Sequence, residues 1–377
     1  MFEAGNIAGL ELKNRLVRSA TAERMCDEEG RPEQAMIDLY ADLARGGVGL
    51  IVTGHAFVHE SGKAHSTMTA VHKDDLVPSL RTLSEVVHRE SGGKRSGVVM
   101  QINHAGRKAS EKVTCPEPCP ECGRRGSRRV GRTPVAPSPV SQVKGGPRPH
   151  ELTEAEIEEL VGAFGRAAGR AKEAGFDGVQ LHGAHGYLIN QFCSPASNWR
   201  RDRWGGNSAR RLRFLEEVAA AVRDEVGDDY PLLIKLGVQD SVRDGLTLDE
   251  GVEIVRHLAD WGLDAVEISC GMGTTSARKD ILRPEDEAYF LPQARRAREL
   301  TELPLILVGG MRSLEVMESI LEEGTADFIS MSRPLIREPD LPNQWQEGRT
   351  EPAACISCNN CWPGPGEYGI ACRSSNR

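Results

Sequence analysis

Two hydrophobic patterns alternate along the 377-residue chain. Short, nearly continuous apolar runs occur at Leu16–Arg18, Val48–Thr53, Gly97–Gln101, Gly178–Leu181, Leu232–Leu236, Ala265–Ser269, Leu305–Val308 and Phe328–Met331. Such runs suit strands of a parallel sheet covered on both faces, where neither side of the strand meets water. Between them, apolar side chains recur at three- and four-residue spacing. This predicts amphipathic helices over Gln34–Arg45, Leu76–Arg89, Glu154–Glu173, Ala209–Val226, Leu248–Trp261, Glu285–Leu300 and Leu314–Glu323. Thr153 and Glu156 form a capping-box start for the third helix, since each side chain can satisfy an orphan amide near the other. Gly175, Gly262 and Gly324 each end a helix just before the next strand. Eight strand–helix units predict an α/β protein with a closed (β/α)8 TIM barrel. No Gly-x-Gly-x-x-Gly follows the first strand, which disfavours an open dinucleotide-binding sheet. The barrel is placed at 1–345, with a loop insertion after the third strand (108–150) and a short Cys-rich C-terminal extension at 346–377.

In such barrels, reactive groups collect at the C-terminal ends of the strands. Those ends read Ser19-Ala20-Thr21, Gly54-His55, Gln101 to Arg107, His182 to Tyr187, Lys235, Cys270-Gly271, Gly309-Gly310 and Ser330 to Pro334. Gly309 and Gly310 let backbone amides approach an anion closely, and Arg333 adds a charge-assisted partner, so this end is a candidate phosphate site. The bland reading of the two glycines is a tight turn. His182 and His185 form a His-x-x-His pair with three readings. They are a satisfied structural pair, a zinc pair, or two donors to a substrate oxygen. Zinc is the weaker of these, because no third ligand stands at helical spacing.

Composition narrows the partners. Hydrophobic residues make up 39% and charged residues 27% of the chain, as in a globular protein with a large core. No run of about 18 apolar residues is present, so no membrane span is expected. The stretch Met1–Gly5 lacks a basic and an apolar signal region, which points to a cytoplasmic protein. In that compartment the ten cysteines are thiols or metal ligands rather than disulfides. A net charge of −8 argues against a nucleic-acid partner. Between Arg107 and Arg148, however, ten Lys/Arg stand against three Asp/Glu, a local balance of +7 that leaves −15 elsewhere. That stretch is either a solvated insertion or a landing site for a phosphate-bearing cofactor or substrate.

At this point the chain resembles the old yellow enzyme family of FMN-dependent ene-reductases. The matching segments are Leu12-Lys13-Asn14-Arg15-Leu16-Val17, Gln101-Ile102-Asn103-His104-Ala105-Gly106-Arg107, His182 to Gly206, and Gly309-Gly310 with Ser332-Arg333-Pro334. The resemblance implies FMN as cofactor and NAD(P)H as electron donor. It implies Ser19 and Ala20 as backbone contacts to the flavin ring, with Gly54 nearby, and Gln101 on its pyrimidine edge. Lys235 would sit near N1 and O2, and Gly309, Gly310, Ser332 and Arg333 would hold the phosphate. His182 and His185 would hydrogen-bond a substrate carbonyl, and Tyr187 would deliver a proton. Two positions depart from the family. Ala22 stands where a redox-tuning threonine or cysteine is common, and Lys235 replaces an arginine, giving a point charge without the planar fork.

Two cysteine groups remain. Cys355, Cys358, Cys361 and Cys372 fit a [4Fe–4S] cluster, a structural zinc or free thiols. This tail resembles the segment after the barrel in trimethylamine dehydrogenase and 2,4-dienoyl-CoA reductase, which implies the cluster, although two of its spacings differ. Cys115, Cys119 and Cys122, in the insertion, are a second metal group or free thiols. The expected function is reduction of an activated C=C bond in an enone, enoate or enoyl thioester, with electrons from NAD(P)H or a carrier protein. A dehydrogenase passing electrons out through the cluster is the first alternative, and a non-catalytic flavin electron-transfer subunit the second. A homo-oligomer is left open.

Overall fold

The computed structural model describes the chain except residues 93–94, 110, 116–125, 131–132, 143–145, 274–276, 365–366 and 375–377, and except the side chains of 111–115 and 126–130. Eight parallel strands form its centre: β1 (Leu16–Arg18), β2 (Leu50–Val52), β3 (Gly97–Asn103), β4 (Gly178–Gly183), β5 (Leu232–Gly237), β6 (Ala265–Ser269), β7 (Leu305–Val308) and β8 (Phe328–Met331). Each pairs with its sequence neighbour, and β8 pairs with β1, so the sheet closes on itself. Around it lie α1 (Gln34–Arg45), α2 (Val77–Glu90), α3 (Glu154–Glu173), α4 (Ser208–Val226), α5 (Leu248–His257), α6 (Leu291–Arg298) and α7 (Leu314–Glu322). The TIM barrel expected from the apolar pattern is therefore present. Among the described residues no helix is long and apolar enough to cross a membrane.

Side chains alternate between the inside of the barrel and the helix layer, so residues two apart along a strand share a face. Val17, Leu50, Val52, Val99, Leu233, Ala265, Ile306 and Phe328 form one buried apolar cluster inside the barrel. Ile7 and Leu12 join it from the antiparallel hairpin Gly5–Ile7/Leu10–Leu12, which plugs the N-terminal end. Two residues further along the strands the inward layer turns polar: Gln101, Gln180, Lys235, Glu267 and Ser330, all buried. The apolar layers hold the barrel shut, and the polar layer becomes the floor of whatever binds at the open end.

The helices follow their sequence signals. Thr153 and Glu156 cap α3 reciprocally, and Thr247 and Glu250 do the same for α5. The third and fourth strands run two residues past their sequence limits, because Ile102, Asn103, His182 and Gly183 continue the ladder. Conversely, α6 starts at Leu291 rather than Glu285. Pro284–Asp286 is a separate 3-10 turn, and Pro292 sits in the first turn of the helix, where a missing N–H costs nothing. The insertion is more than loop. It contains a hairpin, Glu111–Cys115 with Gly126–Val130, and a short parallel pair, Val135–Ala136 with His150–Glu151. Arg200 pins it to the barrel by donating from Nη1 to the carbonyls of Pro137 (3.0 Å) and Leu152 (2.5 Å), while Nη2 binds Asp202 at 2.6 Å. The arginine-rich stretch after β4 thus serves structure. Cys119, Cys122 and the thiol of Cys115 lie outside the described residues.

Candidate active site

A cavity of about 310 Å³ opens above the polar layer at the C-terminal ends of the strands. Its walls include Ala20, Gln101, His182, His185, Tyr187, Lys235, Gly310, Ser332 and Arg333. Ser19 also lines it, but with both backbone groups engaged: its N–H donates to Met331 O (2.8 Å) and its carbonyl accepts from Thr21 Oγ1 (3.0 Å). Two of the expected cofactor positions stand back from the described wall. Gly54 donates its N–H to Glu23 Oε1 at 2.9 Å, and Gly309 accepts from Tyr289 N at 3.0 Å. Gly310 does reach the wall, with a left-handed φ of 80° that a side chain would strain.

The floor is a hydrogen-bonded network centred on Glu267. Its Oε1 accepts from Lys235 Nζ (2.7 Å), Ser19 Oγ (2.7 Å) and Ser330 Oγ (2.9 Å), and its Oε2 from Gln180 Nε2 (3.1 Å). Gln101 Nε2 in turn donates to Gln180 Oε1 at 2.7 Å. Burial pushes the Glu267 carboxyl up, but Lys235 and these hydrogen bonds outweigh it and hold the group below its ordinary value. A buried carboxylate with this many donors stays ionised and fixes the lysine beside it.

Two arginines stand at the β7–β8 end. Arg333 Nη1 donates to Arg278 O (2.6 Å) and Asn359 Oδ1 (2.6 Å). Arg312 Nη2 donates to Ala353 O (2.9 Å), whereas its buried Nε has no partner. An orphaned guanidinium N–H beside Gly310 and Arg333 fits a phosphate, and the polar floor with Gln101 and Lys235 fits a heterocycle carrying carbonyl and ring-nitrogen acceptors. Together they fit FMN.

The opposite side carries the histidines. His182 and His185 are near-perpendicular, with ring centroids 5.0 Å apart, and Tyr187 lies 4.7 Å from His182. The Ala184 N–H donates to His182 Nδ1 at 3.4 Å, which leaves Nε2–H as that ring's donor. His185 Nε2 meets Ser269 Oγ at 2.8 Å; if it accepts there, Nδ1–H is free to donate. His185 is held in the left-handed region (φ 57°), a conformation a histidine adopts at some cost, and its carbonyl accepts from Lys108 Nζ. Burial, then neighbouring cationic groups, drives both imidazoles well below their ordinary range, so both are neutral donors at neutral pH. Burial pushes Tyr187 up to about 12, so its phenol keeps its proton.

Sequence reasoning places His55 at a strand end without giving it a role, and it passes over His65 and Arg24. His55 lies 5.1 Å from Tyr187 and is pushed down to about 4 by burial, then by Lys108 and Arg24. Its place three residues after β2 is the available signal. His65, pushed down to about 2 chiefly by burial, and Arg24 had none. Of the basic stretch 107–148, Lys108 reaches the described wall.

The cysteine tail folds back over the Arg312–Arg333 end of the cavity, where Ser357 and Trp362 line the wall. Cys355 and Cys361 are buried, Cys358 half-buried and Cys372 exposed. The Cys361 thiol is pushed up to about 11 by burial and then by Cys355, Cys372 and Cys358, so the four sulfurs sense one another. Among the described residues, however, no group of three or more His, Cys, Asp or Glu is arranged to hold a metal ion. The tail does not display the preformed cluster site that its spacing suggests.

Residues 1–351 match the model of the NADH:flavin oxidoreductase / NADH oxidase family. The chain belongs to that family. It is 38% identical to an NADH oxidase of Thermoanaerobacter brockii over 95% of its own length and 52% of the relative's. The barrel superposes on a 2-naphthoyl-CoA reductase complex with TM-score 0.83 at 30% identity, covering 96% of this chain and 54% of that one. It also superposes on histamine dehydrogenase from Rhizobium sp. 4-9 with TM-score 0.77 at 26% identity, covering 92% of this chain and 48% of that one. The chain thus spans about half the length of these relatives.

Proposed function

We propose that this protein reduces a C=C bond conjugated to a carbonyl. The observation that carries the reading is the pair of neutral, perpendicular imidazoles beside a protonated tyrosine, on the wall facing the phosphate end. When bound, FMN supplies the hydride, with NAD(P)H restoring it. In this reading Arg333 and Arg312 hold the phosphate, Gly310 gives it room, and Gln101 and Lys235 meet the ring edge. His182 Nε2–H and His185 Nδ1–H donate to the carbonyl oxygen and stabilise the negative charge that develops there. Tyr187 gives its proton to the α-carbon. The similarity to a 2-naphthoyl-CoA reductase supports a reductive direction.

The test is product analysis. Holoenzyme incubated anaerobically with NADH or NADPH and cyclohexenone in deuterium oxide should yield cyclohexanone with solvent deuterium at the α-carbon. Nicotinamide oxidation without saturated product would reject the reading. Tyr187→Phe should slow the protonation step on the order of 10²- to 10⁴-fold, measured as single-turnover product formation. Because the histidines are pushed below their ordinary range and Tyr187 is pushed up to about 12, the oxidative half-reaction should be flat from about pH 6.5 to 9. A pH step near neutrality in stopped-flow rates would contradict the neutral-donor assignment.

The second reading, a dehydrogenase of an amine or other small molecule, draws on the similarity to a histamine dehydrogenase and on the four tail thiols. For the tail we assign a [4Fe–4S] cluster over zinc on the spacing of its four cysteines; the metal would draw the sulfurs together as it binds. Protein purified anaerobically should contain iron and acid-labile sulfide in equal amounts. Zinc alone, or neither, would end that assignment.

A further inference from the structure

Resting on the reading above, we infer that the natural substrate carries an anionic group, a carboxylate remote from the reacting carbonyl, and that Arg24 and Lys108 bind it. The described cavity wall holds five Lys or Arg side chains (Arg24, Lys108, Lys235, Arg312 and Arg333) and no Asp or Glu. Three of these have assignments. Lys235 is neutralised by Glu267 at 2.7 Å from beneath, and Arg312 and Arg333 stand together at the phosphate end. Arg24 and Lys108 remain, and both belong to the substrate side. Lys108 Nζ lies 4.8 Å from the centre of the Tyr187 ring and donates to His185 O. Arg24 and Lys108 both bear on His55, whose ring lies tilted against Tyr187 with centroids 5.1 Å apart.

Neither cation has a carboxylate partner among the described residues. The Nε of Arg24 is buried with no hydrogen-bond partner. Arg24 is also left-handed (φ 56°), an uncommon conformation for an arginine, and it projects its side chain into the cavity instead of toward the acidic surface of a chain with net charge −8. Two partly buried cations without counter-ions are costly unless an anion completes the site. The reacting carbonyl cannot be that anion, since the imidazoles already face it. A carboxylate can take the planar guanidinium in two parallel hydrogen bonds and the ammonium in a third.

The experiment uses FMN holoenzyme and three flavin-stacking probes: phenol, 4-hydroxybenzoate and 4-hydroxybenzamide. The last two differ in charge with little change of shape. Each dissociation constant is read from the change in flavin absorbance. Wild type should bind the carboxylate about tenfold or more tighter than the amide, and added salt should shrink that ratio. Arg24→Gln with Lys108→Gln should bring the ratio near one. A wild-type ratio near one, or a ratio untouched in the double variant, would overturn the inference while leaving phenol binding and the reductase reading intact. Failure of phenol itself to bind would sink both. A double variant that lost only NADH affinity, with the carboxylate ratio preserved, would reassign the two cations to the nicotinamide cofactor's phosphates. Should the variant fold poorly, the salt dependence of the wild-type ratio still decides, since a ratio insensitive to salt refutes the charge-based clamp.

Discussion

Protein carrying His182→Ala together with His185→Ala should purify with FMN bound, yet bind phenol at least tenfold more weakly and reduce cyclohexenone on the order of 10³-fold or more slowly. The phosphate end and the Glu267 floor share no hydrogen bond with either ring, so cofactor retention should survive. What is lost is the donor pair. Removing one such donor from a water-poor site typically costs about 3 kcal/mol of transition-state stabilisation, close to a hundredfold or more in rate. His182 is buried, His185 half-buried, and both are neutral, which makes each N–H count more than it would in water. Single substitutions should be strongly non-additive, because the remaining imidazole can shift toward the oxygen. Phenol titrations of the holoenzyme and single-turnover rates check both parts. Unaltered phenol affinity would remove the donor role.

Glu267→Gln should be the most damaging single change to the barrel itself. It leaves Lys235 buried with its ion-pair partner gone, a change that typically costs about 3–5 kcal/mol. Adding Lys235→Met should recover much of that loss, since no unpaired charge then remains, while FMN affinity stays impaired because the cation proposed to meet the cofactor is missing. Denaturant unfolding of the apoproteins, with FMN titration alongside, separates the two effects. Equal instability of the single and double variants would mean that Glu267 acts through Ser19 and Ser330 instead of through the lysine.

Glu267 also marks the limit of what the sequence discloses. The run Ala265–Ser269 is legible as a strand, and so are its seven companions, because burial on both faces leaves a continuous apolar signature. The barrel and the reactive ends at His182, His185, Tyr187, Gln101, Lys235 and Arg333 follow from that. A single glutamate inside an apolar run carries no signal of its own. Its meaning comes from closure, which brings Lys235 and Ser19 to the same oxygen from β5 and the end of β1. A glycine at a strand end is ambiguous in another way, since the sequence does not say where its amide points, and that of Gly54 points to Glu23. Arg24 is hidden for a third reason: its aim depends on a left-handed backbone, and no residue pattern around it demands one.

The most direct single measurement is anaerobic: reduce the FMN holoenzyme, add one equivalent of cyclohexenone, and follow the oxidised-flavin absorbance. Prompt recovery matched by cyclohexanone is the expected result. Reduced flavin that persists with the enone, in protein whose oxidised form is bleached by an amine, would contradict it.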